Sequence, residues 1–133
     1  MTDMRPSASI IVGQSQPTQT FVLPFPVSVN NMFLNIAGRG RIKSPKYRAW
    51  QTEAGWRLRQ QRAVPVRGLV AIEIKAIKPD NRRRDIDNLS KAICDILVVN
   101  NVITDDKMIE RITAEWARSD DLSGVSVTVT PLS

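Results

Sequence analysis

The chain has 133 residues, of which 42% are hydrophobic, and its 19 Lys and Arg against 13 Asp and Glu give a net charge of +6. This length suits one domain, and the positive charge indicates a polyanionic partner, nucleic acid rather than a membrane, because no apolar run approaches membrane-spanning length. With no histidine and only Cys94 as cysteine, the chain excludes histidine-based nucleophile pairs, intramolecular disulfides and zinc clusters, so any metal must be held by oxygen.

The N-terminal residues 1–19 are rich in Ser, Thr, Gln and Pro, which predicts a flexible tail before a single domain at 20–133. They lack the sustained apolar segment of a secretion signal, so we expect a cytoplasmic protein. Alternating apolar residues over 20–25 then predict a half-buried strand; Pro24 and Pro26 confine it to a sheet edge or lie at its end.

Residues 27–43 are interpreted as a basic loop that Gly38 and Gly40 interrupt. Glycine lets backbone N–H groups approach a phosphate closely, and each Lys or Arg adds a sequence-independent contact. The alternative is a solvated loop whose asparagines serve turns. The predicted DNA contacts in and just after this loop are Arg39, Arg41, Lys43 and Lys46.

Ser44 and Pro45 are an N-cap and a first-turn proline, which predict a helix that runs to about Gln61. Its expected buried face comprises Tyr47, Trp50, Ala54 and Leu58. Trp56 lies opposite that face, where it serves base stacking or a subunit contact, or simply covers a neighbouring element.

The alternation over 69–77 predicts a strand that leads into three arginines and then Asp85 and Asp87. If this pair is extended, both carboxylates lie on one side of the backbone and Ile86 turns into the core. Two adjacent carboxylates repel unless they are protonated or neutralised, which favours a divalent metal there.

A helix is predicted to begin at Asp87 or Asn88, either of which is a good N-cap. Its expected buried stripe comprises Leu89, Ala92, Ile93, Ile96 and Leu97. Lys91 lies one turn in and can reach back toward Asp87. The alternative to a metal site is therefore a capped helix with an Asp87–Lys91 surface ion pair, worth only about 0.3–0.5 kcal/mol.

Two strands are predicted after this helix. A turn at Asn100 and Asn101 and an acidic pair, Asp105 and Asp106, precede the first strand. One face of this strand carries Met108, Ile112, Ala114 and Trp116. The second strand is predicted from the alternation of Val125, Val127 and Val129 with polar residues. The element order predicts an α+β (mixed α/β) fold, a small mixed sheet with two helices packed against it.

The run RRRDIDNLSKAICDIL followed by NNVITDD resembles the central motif of the RusA family of Holliday junction resolvases. The upstream LPFPVSVNN and GRGRIKS resemble the N-terminal segment of that family, and the resemblance extends from about Phe21 to Trp116. It implies a metal-dependent endonuclease that acts as a homodimer in DNA recombination and repair. Such an enzyme makes paired, symmetric nicks in two opposing strands of a four-way DNA junction.

The resemblance also implies roles for individual residues. The catalytic residues would be Asp85, Asp87, Lys91 and Asp106; the three aspartates would hold Mg²⁺, with Mn²⁺ substituting, and Arg82, Arg83 and Arg84 would grip phosphates near the cut. Asp105 is expected to begin a turn, and Asp95 is left as a helix-surface or interface carboxylate. The competing hypothesis is a non-catalytic, basic architectural DNA-binding protein, which has no use for clustered carboxylates.

Overall fold

The structure is a computed structural model that describes residues 16–78, 85–117 and 124–132. Within these ranges it contains two helices and six strands: β1 Gln19–Leu23, β2 Phe33–Ile36, β3 Gly40–Lys43, α1 Pro45–Gln60, β4 Val70–Ala76, α2 Ile86–Val99, β5 Ile109–Trp116 and β6 Val125–Pro131. Short 3₁₀ turns lie at Val29–Asn31 and Asp106–Met108. The predicted mixture of helices and strands is therefore confirmed.

Four of the strands form one mixed sheet in the order β1-β6-β4-β5. The β4 and β5 strands are parallel, whereas β6 is antiparallel to both β1 and β4. Parallel neighbours need a long crossover, and α2 supplies it here because it lies between β4 and β5 in the chain. The small mixed sheet is thus as predicted, and α2 packs beside β5 at its parallel edge.

The core lies between one face of this sheet and the two helices. The strand register places Phe21, Val127 and Ile74 in a single row across β1, β6 and β4, and all three side chains are at most 2% exposed. Each fully buried side chain of this kind contributes about 1.5–3 kcal/mol. The opposite face carries exposed side chains such as Glu73 and Lys75, so the helices cover a single face. Neither helix in the described ranges is long and apolar enough to cross a membrane.

Helix α1 begins and packs as its sequence predicts. The Ser44 hydroxyl oxygen accepts a hydrogen bond from the Tyr47 backbone N–H at 3.0 Å. The indole N–H of Trp50 donates to the carbonyl oxygen of Pro24 at 2.9 Å, which ties the helix to the end of β1. Trp56 points away from the core and is 55% exposed.

The outer edge of β1 is covered by glutamine side chains. The Gln61 amide accepts from the Val22 N–H at 2.7 Å and donates to the Val22 carbonyl at 2.9 Å. Equivalent paired bonds join Gln19 to the Val64 backbone and Gln16 to the Arg67 backbone. The Gln61 bonds satisfy the Val22 backbone groups that an open edge of β1 would leave unpaired, whereas the other two pairs attach the chain around β1 to the connection between α1 and β4. The sheet order confirms that the first strand lies at an edge, and Gln16, the first residue that the structure describes, already binds the Arg67 backbone.

The prediction of a loop over residues 27–43 was wrong, because β2 and β3 pair there as an antiparallel hairpin. Gly38 and Gly40 adopt φ angles of +79° and +72°, which other residues rarely adopt, and they close the turn. The ring of Phe33 on β2 packs edge-on against Tyr47 at a centroid distance of 5.6 Å. This contact attaches the basic hairpin to α1.

Candidate active site

The N-cap of helix α2 is Asp85, which lies earlier in the chain than the predicted cap at Asp87 or Asn88. The Asp85 carboxylate accepts a hydrogen bond from the Asp87 backbone N–H at 2.9 Å, and the helix starts at Ile86. Asp85 therefore satisfies the first turn before the later candidates are reached. The predicted extended Asp85–Asp87 pair is also wrong, since Asp87 lies inside the first helical turn. The prediction that Ile86 turns away from both carboxylates depended on that extended pair; in the structure Ile86 lies in the first turn of α2 and packs half-buried against the core.

One stripe of α2 is charged and faces solvent. Asp87, Lys91 and Asp95 are spaced by four residues, so their side chains follow one another along the same face of the helix. The five residues predicted for the buried stripe are all at most 5% exposed. The spacing of Asp95 was visible in the sequence, although Asp95 was left out of the predicted site.

A cavity of about 630 Å³ lies between this charged stripe and β5, and we call it the acidic cavity. Its polar lining comprises Asp87, Ser90, Lys91, Asp95 and Asp106. Its apolar lining comprises Ile86, Cys94, Ile109, Ile112 and Ala114. Three of the four predicted catalytic residues, Asp87, Lys91 and Asp106, thus come together from two separate elements. Asp85 does not line this cavity.

The neighbours Asp105 and Asp106 have different surroundings. The Asp105 carboxylate caps the 3₁₀ turn by accepting from the Lys107 backbone N–H at 3.0 Å, and this bond lowers the pKa of Asp105. Asp105 therefore begins a turn, as predicted. A side-chain hydrogen bond between Asp105 and Asp106, together with the negative charge of Asp105, raises the pKa of Asp106. The charge of Asp95 adds to this shift. Crowded carboxylates of this kind are stabilised by a cation.

The surface ion pair that competed with the metal-site interpretation does not form. Within the described residues the ion pairs are Arg57–Glu53 and Lys75–Glu115. Asp87 and Lys91 are therefore more than 4.0 Å apart, and both are exposed. An ion pair between them therefore does not account for their shared position on the cavity.

The donor atoms around the acidic cavity suit a hard divalent cation. They are carboxylate oxygens, the ligand type that Mg²⁺ and Mn²⁺ prefer. In the part of the chain that the structure describes, no three His, Cys, Asp or Glu side chains already lie close enough to hold a metal ion. The ligand chemistry fits, whereas the described side chains do not form a complete ligand set by themselves.

Two groups that feel the charge of Asp95 remain protonated at neutral pH. Cys94 is 7% exposed, and its burial, together with the charges of Asp95 and Asp106, raises the pKa of its thiol to about 11. Burial and the charge of Asp95 also raise the pKa of Tyr47. Cys94 is thus buried in the apolar face of α2, and its thiol stays protonated at neutral pH.

The predicted DNA contacts near the hairpin are exposed. Arg39 lies in its turn, Arg41 and Lys43 lie on β3, and Lys46 lies in the first turn of α1. The guanidinium of Arg41 stacks over the Phe33 ring at 4.0 Å from its centroid. Arg82, Arg83 and Arg84 lie outside the described residues.

A second cavity of about 370 Å³, which we call the bridging cavity, connects the hairpin with the acidic cavity. The hairpin contributes Phe33 and Lys43 to its lining, and Asp95, Asp105 and Asp106 line it from the other side. Basic groups on the hairpin and carboxylates of the acidic cavity are therefore neighbours on one surface.

Comparison with known proteins shows which family the sequence around this site matches. Residues 24–130 match the family model described as Endodeoxyribonuclease RusA. A protein of Aquifex aeolicus strain VF5 named crossover junction endodeoxyribonuclease RusA is 25% identical over 122 residues, which cover 91% of this chain and 97% of the relative. A protein of Enterobacteria phage HK97 with the same name is 30% identical over 93 residues, or 69% of this chain and 77% of the relative. The family match spans both helices and every residue that lines the acidic cavity.

Proposed function

This chain belongs to the RusA family of endodeoxyribonucleases, and on that basis we propose that it resolves four-way DNA junctions by hydrolysing one phosphodiester bond in each of two opposing strands. The observation that carries this proposal is the convergence of Asp87, Lys91 and Asp106 on one cavity within the matched region. The two relatives named above are both crossover junction endodeoxyribonucleases. The net charge of +6 suits a DNA substrate.

We assign Asp85, Asp87 and Asp106 as the ligands of Mg²⁺, for which Mn²⁺ substitutes. The bound metal supplies a water activated for attack and stabilisation of the leaving oxygen. Asp87 and Asp106 face the acidic cavity from α2 and from the 3₁₀ turn. Asp85 uses Oδ1 to cap the helix, and its Oδ2 accepts no hydrogen bond from the described residues. Asp85 therefore fixes the start of α2 through Oδ1, and we assign its Oδ2 to the metal.

Lys91 is assigned the role of neutralising the charge that develops on the phosphate. It lies between Asp87 and Asp95 on the exposed stripe of α2 and has no carboxylate within 4.0 Å among the described residues. A fixed cation that is not already paired stabilises developing negative charge directly. Lys91 is thus available for the substrate.

We further propose a cytoplasmic homodimer. A four-way junction has approximate twofold symmetry, so a twofold dimer presents matching sites to opposite strands. The β5 strand lies at the sheet edge, and Ile112 on β5 is 48% exposed beside the acidic cavity. An exposed edge with an apolar side chain suits an interface between copies of the chain.

The test uses a synthetic four-way junction and a matched pair of adjacent variants. Asp106→Asn removes a proposed metal ligand, and we expect paired nicking to be lost. Asp105→Asn keeps a side chain that can cap the turn, and we expect most of the nicking to remain. Equal activity of Asp106→Asn and the wild-type protein would contradict the proposed ligand set. Junction binding without cleavage by the wild-type protein, with any divalent metal, would favour the architectural alternative.

A further inference from the structure

A third cavity, of about 580 Å³, lies between α1 and α2 on the side away from the sheet, and we call it the basic groove. Its cations are Lys43, Arg48 and Arg59, and no Asp or Glu is among the residues that line it. All three cations are exposed. The groove is thus a concave surface of one charge sign, which fits an anionic ligand.

These cations are not neutralised within the described residues. The ion pair on α1 joins Arg57 to Glu53 at 3.3 Å, and neither residue lines the basic groove. Arg57 and Arg59 are only two residues apart on the same helix, yet only Arg59 faces the groove. The chain therefore provides a paired arginine next to an unpaired one.

The basic groove also contains exposed apolar surface. Trp56 is 55% exposed and Val99 is 62% exposed, and both line the groove. Trp56 points away from the core that α1 buries, so it does not serve packing within the described fold. An exposed indole beside unpaired cations is the combination that binds unpaired nucleic acid, because bases stack on the ring while the cations contact phosphates.

The basic groove is continuous with the acidic cavity. The bridging cavity shares Lys43 and Val99 with the basic groove, and it shares Asp95 and Asp106 with the acidic cavity. One surface track thus runs from the carboxylates of the proposed cutting site to an aromatic and cationic region without carboxylates. A DNA strand whose phosphate lies at the carboxylates can therefore follow this track to the basic groove.

We propose that the basic groove binds an unpaired DNA strand that leaves the cutting site, with Trp56 stacked on a base and Arg48 and Arg59 in contact with phosphates. This proposal rests on the nuclease function proposed above. Fully paired duplex, including the paired arms of a four-way junction, offers no free base face to Trp56, so the groove favours branched DNA in which a strand is unpaired next to the cut.

The test measures binding of the full-length protein to a labelled oligo(dT) strand and to a four-way junction, with chelator present so that nothing is cut. Trp56→Ala should weaken oligo(dT) binding by roughly 5-fold or more, and Trp56→Phe, which keeps an aromatic ring, should lose less. Arg59→Gln should reduce the slope of log K against log salt by about 0.7, the value for one contact to a single strand, whereas Arg57→Gln should leave the slope unchanged.

Fluorescence provides a second readout. Oligo(dT) should quench the tryptophan emission of the wild-type protein, and most of the quenching should be lost in Trp56→Phe, because Trp50 is only 5% exposed and Trp116 is half-buried on β5 and does not line the groove. Wild-type affinity of Trp56→Ala, or equal salt slopes for Arg57→Gln and Arg59→Gln, would overturn the proposal. A changed sedimentation of Trp56→Ala with unchanged DNA affinity would also overturn it, since the groove would then be a protein contact.

The experiments distinguish failure of the groove proposal from failure of the proposed nuclease function. Because binding is measured in chelator, the basic groove can be tested even if the wild-type protein cuts no junction. Conversely, the wild-type protein could nick junctions in a metal-dependent way while its Trp56 and Arg59 variants bind DNA normally. This result would support the nuclease function and refute the proposed role of the basic groove.

Discussion

Substitution of Asp85 separates its two roles, the cap of α2 and the proposed metal ligand. Asp85→Asn retains a side-chain oxygen in the place where Oδ1 accepts from the Asp87 N–H, but it removes the charge. Asp85→Ala removes both the oxygen and the charge. We therefore expect the two variants to differ in stability and to share a loss of cleavage.

The expected magnitudes follow from the cap geometry. Loss of the capping bond in Asp85→Ala should cost about 1 kcal/mol of the free energy of unfolding, within a range of about 0.5–2, whereas Asn is as good a cap as Asp. In a protein of 133 residues, 1 kcal/mol corresponds to a Tm change of about 3–5 °C. Cleavage should fall by at least about 100-fold in both variants, the usual cost of losing one electrostatic group at a reacting centre.

Thermal unfolding and junction cleavage, measured on the same preparations, check this prediction. Asp85→Asn should unfold close to the wild-type temperature, bind the junction at least as tightly because a negative charge is gone, and fail to cut it. If the Tm of Asp85→Asn fell as far as that of Asp85→Ala, while cleavage by the folded fraction stayed at the wild-type level, Asp85 would be a cap only.

Three further predictions concern the fold, the thiol and the basic hairpin. Gly124→Ala should destabilise the protein by more than about 2 kcal/mol in urea unfolding, because its Cβ would overlap the Leu23 carbonyl oxygen at a φ of +92°. Gly38→Ala, at a φ of +79° in open space, should cost only about 1–2 kcal/mol, and equal losses would contradict the steric argument. Cys94 should react with a thiol reagent at pH 8 far more slowly in the folded protein than in denaturant, because its raised pKa of about 11 keeps the thiol protonated; rapid native labelling would contradict this. Arg41→Gln should lower the salt slope of duplex DNA binding by about 0.9, and an unchanged slope would remove Arg41 from the DNA contacts.

Periodic patterns in the sequence predicted the elements that build the core. The alternation in β4 and the helical spacing from Leu89 to Leu97 reflect side chains that are buried on one face, so burial leaves a visible record in the sequence. The start of α2 was misplaced because Asp85, Asp87 and Asn88 are all good caps. Local chemistry alone does not choose among them.

The hairpin of β2 and β3 was missed for a different reason. Each strand has four residues, and nearly all of their side chains are exposed or half-buried, so no alternation of polarity marks them. The glycines that close the turn, Gly38 and Gly40, are equally typical of a loop. Only pairing between the strands distinguishes the two structures.

The convergence of the site also depends on tertiary structure. Asp106 is 19 residues beyond Asp87, and they meet because β5 returns parallel to β4 after α2. The resemblance to the RusA family predicted that Asp87, Lys91 and Asp106 act together. The fold brings all three to one cavity. The influence of Asp95 on Asp106 and Tyr47 arises across elements, which no local pattern shows.

The most direct test of the central claim is to map the cuts that the wild-type protein makes in each strand of a synthetic four-way junction, with Mg²⁺ or with chelator. The proposed function predicts one nick in each of two opposing strands, at symmetric positions, only when Mg²⁺ is present. Tight junction binding with no nick in any strand at any metal concentration would contradict the proposal, and Asp85, Asp87 and Asp106 would then have only structural roles.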